Sequence, residues 1–85
     1  MILFRARRWP PEELAKRLCR LVEGTDSVYQ QADGHWNLGI ANNWWLVPKE
    51  DEAYLLHYRY ERGAPLHHLA AVLNWLLDVE ILQVS

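Results

Sequence analysis

The stretch Gly34–Val47, GHWNLGIANNWWLV, constrains this chain more than any other. It holds three of the five tryptophans and sets an Asn42-Asn43 pair between two apolar runs. Asparagine tolerates the left-handed backbone that two-residue hairpin turns demand. The stretch therefore reads as a β-hairpin with one face in the core.

The full 85 residues are expected to form one domain, 1–85. A chain of this length buries only about 60–65% of the surface its unfolded form exposes. Cys19 is the only cysteine, so no internal disulfide helps. Aromatic packing or self-association must supply the stability. The net charge is −2, but its distribution is uneven. Arg5, Arg7, Arg8, Lys16, Arg17 and Arg20 face only Glu12 and Glu13 in the first 22 residues, and the remainder is acidic. No apolar run approaches the ~20 residues needed to span a bilayer. The expectation is a soluble, cytoplasmic protein with no membrane contact.

Residues 2–8 read as a short strand with Ile2, Phe4 and Ala6 on one side. Pro10-Pro11 then opens a helix, with Pro11 near its first position and Glu12 and Glu13 in its first turn. Leu14, Leu18, Leu21 and Val22 form its buried stripe, and Gly24 closes it. Alternating strands follow: 28–32, 35–41, 44–47 and 53–60, the last ended by Gly63. Pro65 opens a second helix with a stripe of Leu66, Leu69, Ala70, Leu73, Leu76 and Leu77. Residues 79–84 are β-branched enough to favour a terminal strand over more helix. The order β-α-β-β-β-β-α-β predicts a two-layer α+β fold. In it, a four-stranded antiparallel meander carries two helices on one face, with short N- and C-terminal edge strands.

Turn lengths assign the faces. Two-residue turns at Asp33-Gly34 and Asn42-Asn43 pair 31 with 36 and 38 with 47. A four-residue loop, 49–52, pairs 47 with 54. The inner face is then Tyr29, Trp36, Leu38, Ile40, Trp45, Val47, Tyr54, Leu56 and Tyr58, with Tyr60 following. Trp44, Leu46, Leu55, His57 and Arg59 fall on the outer face. A five-residue loop, 48–52, would turn the last strand over. Val72 and Trp75 give the second helix an apolar arc beyond its stripe.

No catalytic constellation is apparent. Cys19 reads as a buried, inert thiol, because nothing local could activate it. Ser27 and Ser85 do not sit in a strand-turn-helix elbow. His67 and His68 are adjacent rather than four apart, and His35 and His57 fall roughly 20 Å apart along the sheet, so no metal is expected. Lys49-Glu50-Asp51-Glu52 lacks the alternating ligands and glycine of a calcium loop. The glycines are isolated, so no phosphate-cradling loop exists and no cofactor is expected.

Two readings remain. The first is a non-catalytic protein-binding module using Trp44, Leu46, Leu55, His57 and Arg59 on the sheet, with Val72 and Trp75 on the helix. Tryptophan and arginine are the usual interface anchors. The same patches closing on a second copy would make a homodimer. In architecture alone, such a domain resembles small secretion chaperones, immunity proteins and phage-type inhibitors, which implies an inhibitor or adaptor. The alternative is nucleic-acid binding through Arg5, Arg7, Arg8 and Trp9. These offer cations for phosphates and a ring for stacking.

Overall fold

A computed structural model describes residues 1–60 and 65–85; Gly63, expected to end a strand, lies outside them. The chain runs β1 (Ile2–Arg5), α1 (Pro11–Glu23), β2 (Val28–Gln30), β3 (Trp36–Leu38), β4 (Trp44–Pro48), β5 (Ala53–Tyr58), α2 (Leu66–Leu77) and β6 (Glu80–Val84). All pairings are antiparallel, in the sheet order β2-β3-β4-β5-β1-β6. The meander β2 to β5 is thus extended past β5 by β1 and then β6. Both helices cover one face, α1 over β2–β4 and α2 over β6, giving the expected two-layer α+β architecture.

Local chemistry explains the ends of α1. Pro11 stands at its start, where a missing N–H costs nothing, and Glu12 and Glu13 meet the helix dipole. Gly24 adopts φ 74° and donates its N–H to the Arg20 carbonyl, closing the helix. Leu14, Ala15, Leu18 and Cys19 are buried, whereas Leu21 is partly exposed. They pack on Ile2, Phe4, Trp36, Leu38, Trp44, Leu46, Tyr54 and Leu56 from the sheet, joined by Ala70, Leu73 and Leu77 of α2. Phe4 stacks on Tyr54 at 5.8 Å, and Trp44 meets Tyr58 at 4.4 Å.

The strands lie where the alternation places them, but the turns between them differ. Ala32-Asp33-Gly34 is a three-residue loop with Gly34 at φ 92°, and Trp36 faces Gln30 rather than Gln31. The five residues Gly39–Asn43 join β3 to β4, so Leu38 faces Trp44 rather than Val47. Lys49 and Ala53 close a three-residue loop, and Tyr54 faces Pro48 rather than Val47. Each register moves by an odd number of residues, and an odd shift turns a strand over.

The inner face is corrected accordingly. The shifts on either side of β4 cancel for β5, so Tyr54, Leu56 and Tyr58 stay inward with Trp36 and Leu38. Between them β4 is reversed: Trp44 and Leu46 are buried, while Trp45 and Val47 look outward. Tyr29 and Ile40 leave the core as well, at 67% and 93% exposure. Tyr60 lies past the end of β5 and is exposed. The cause is that Trp44-Trp45-Leu46-Val47 is apolar on both faces, so alternation cannot choose between them and the turn decides. Gly39 holds φ 83° against α1, where an added Cβ would lie 2.9 Å from Glu23 Cγ. Glycine is suited to that backbone and that proximity.

Candidate binding surfaces

The helix layer carries one uncovered apolar surface. In α2, Leu66, Ala70, Leu73 and Leu77 point to the sheet, and the opposite side shows Val72, Trp75 and Leu76. Trp75 is 80% exposed. The helix LHHLAAVLNWLL contains no charged residue, although solvent-facing helix surfaces are normally polar. Leu76 adjoins Leu21 of α1, beside Arg17 and Arg20. Next to it, Leu21, Val22, Leu66 and Leu69 line a groove between the helices with Trp44 in its lining. Val72 and Trp75 therefore stand where the sequence placed them. Leu76 and Leu21, read as core stripe residues, join them at the surface instead.

The sheet face away from the helices is also open. Leu55 and His57 lie on it as expected. Trp44 and Leu46 do not: both are core residues, so neither is available to a partner in this fold. Trp45 takes the place assigned to Trp44. Its ring stacks parallel on His57 at 5.4 Å, and its Nε1 donates to Asn42 Oδ1 at 2.6 Å. Arg59 lies beyond β5, its guanidinium 5.5 Å from the Tyr60 ring. Sequence reasoning missed Trp45 and Asn42 on this face. The signal was present as paired large apolar residues, but its parity was not.

The basic N-terminal segment is already engaged within the fold. Arg5 pairs with Glu80 at 3.1 Å and donates to the Asp51 carbonyl. Arg7 lies 3.4 Å from Glu52. Two guanidinium groups lie over the Trp9 ring, Arg17 at 3.7 Å and Arg8 at 4.6 Å, and its Nε1 reaches the Leu77 carbonyl at 3.4 Å. Guanidinium groups that close on a ring compete with any base for its faces. Arg5, Arg7 and Arg8 border a cleft shared with Asp78 and Glu80, so its charge is mixed.

Reactive side chains are dispersed among the described residues. Cys19 is buried, with Sγ near Thr25 Oγ1 and the Ser27 carbonyl. No group of three or more metal-ligating side chains converges among them. Burial, with a smaller contribution from Glu52, raises the Tyr54 hydroxyl above the ordinary tyrosine range. Tyr54 faces the core and not a cleft. No described helix is long and apolar enough to cross a membrane. Comparison with protein-family models, with curated proteins and with solved structures returned no match.

Proposed function

We propose that this chain is a non-catalytic protein-binding module, of the inhibitor or adaptor kind, acting through the outward face of α2. One observation carries the reading: a twelve-residue helix without a charge, buried on one side only, presents Trp75 at 80% exposure. Covering such a ring removes about 150–250 Å² from water. That is worth roughly 4–6 kcal/mol before the costs of association. Val72, Leu76 and Leu21 extend the patch, and Arg17 and Arg20 border it. Apolar anchors with arginine at the rim are the ordinary anatomy of a protein interface. This reading also places the protein in the cytoplasm, where a single thiol stays reduced.

The test compares wild type with Trp75→Glu in affinity capture from the native host, alongside light scattering of the purified chains. A partner retained by wild type and lost by the variant supports the reading. A wild-type dimer that the variant turns monomeric identifies the partner as a second copy. Identical capture and identical mass for both chains would remove α2 as the binding surface.

A further inference from the structure

The open sheet face carries a second feature, independent of α2. Tyr29, Asn37, Trp45 and His57 form one row across four strands. His57 backs one face of the Trp45 indole at 5.4 Å and an interplanar angle of 4°. On the side of the ring toward β3, a hollow of about 240 Å³ is lined by Gln31, His35, Asn37, Asn42 and Trp45.

Its polar groups are oriented by bonds among themselves. An indole N–H can only donate, so the Asn42 atom 2.6 Å from Trp45 Nε1 must be the carbonyl oxygen. The Asn42 amide NH2 is then left with two donors. Gln31 Nε2 donates to Asn37 Oδ1 at 3.1 Å, which leaves the Asn37 NH2 and the Gln31 carbonyl oxygen. His35 is held at the rim by Asp33, whose carboxylate accepts the His35 backbone N–H at 3.0 Å and lies 3.6 Å from Nδ1. Among the described residues, no carboxylate, guanidinium or ammonium group lines the hollow. It therefore offers an indole wall and several amide donors and acceptors, without a permanently charged side chain in its lining.

We propose that this hollow binds the pyranose ring of a neutral saccharide. A pyranose has one face of C–H bonds, which the negative face of an indole attracts. Its hydroxyls each donate and accept at the ring's edge, matching amides that leave both kinds of group unused. A nucleobase is a poorer fit, because it has few edge groups to meet the several amides here. Asn42 reaches Trp45 because it adopts φ 57° within the five-residue Gly39–Asn43 loop. The loop that sends Trp45 outward thus also supplies the amide beside it.

The test follows the five indole N–H resonances of the 15N-labelled chain. The ligands are the methyl glycosides of glucose, galactose, mannose and N-acetylglucosamine, each titrated to about 50 mM, with adenosine as the nucleoside control. At least one glycoside should move the Trp45 indole resonance saturably, with Kd on the order of 1 mM, the range open to so small a ligand on a shallow site. The Trp44 and Trp75 resonances should stay in place. Asn37→Ala should weaken the effect at least tenfold while the Trp36 and Trp44 resonances keep their positions, which reports an intact core. Absence of saturable shifts with all four glycosides would overturn the proposal. So would a response to adenosine alone, or one that Asn37→Ala leaves unchanged.

Discussion

Two adjacent tryptophans divide the work of β4. Trp44 is buried against Tyr58, while Trp45 lies on the helix-free face. Trp44→Ala should cost about 3–5 kcal/mol in urea unfolding, the range for an aromatic lost from a core. Trp45→Ala should cost about 1 kcal/mol or less, because its ring is only partly removed from water. Equal losses would contradict the assignment of faces. Tyr54 gives a second residue-scale test. Its hydroxyl holds its proton more tightly when folded than when unfolded, chiefly through burial. Above about pH 10 the unfolded chain therefore binds fewer protons than the folded one, and stability falls as pH rises. Below that value the residue contributes no pH dependence. Urea titrations at pH 9 to 11 should show this fall in the wild type and a shallower one in Tyr54→Phe.

At the scale of elements, the terminal turn of α2 is poorly matched to its residue. Asp78 caps the helix in the left-handed conformation, φ 53° and ψ 42°, and puts a carboxylate at the negative end of the helix dipole. Asp78→Gly removes both penalties and should raise stability by roughly 0.5–1 kcal/mol, read as a shift in urea midpoint at constant slope. The same scale shows what was legible in the chain. Pro11 and Gly24 marked α1, the leucine stripe marked α2, and the β-branched tail marked β6. Strand identity followed from alternation. Strand register did not, because it depends on loop length, and Asn42-Asn43 resembles a two-residue turn while lying inside a five-residue one. In β1, where Ile2 and Phe4 alternate with Leu3 and Arg5, the inward face was legible without any turn. Over 44–47 it was not, and the proposed sheet residues Trp44 and Leu46 were lost with it. The exposure of Val72 and Trp75 was legible because helical period is independent of loops.

For the molecule as a whole, Cys19 is a built-in reporter. It is fully buried between α1 and the sheet, with Sγ beside Thr25 and Ser27. Alkylation by iodoacetamide should therefore proceed only through opening of the core, and its rate should rise with urea in parallel with the unfolded fraction. Rapid labelling in buffer would show that α1 detaches without global unfolding. The sheet order has a temporal consequence as well. β1 is made early in synthesis, yet its two neighbours are β5 and β6, more than forty and more than seventy residues away in the chain. Closing such large loops precedes any gain from the pairing, so folding should take milliseconds to seconds rather than microseconds. On the ribosome the hairpins from β2 to β5 can assemble while the first strand waits. That strand completes its pairing only when the last one emerges, so the first strand of the sheet to be made is among the last to be fully paired.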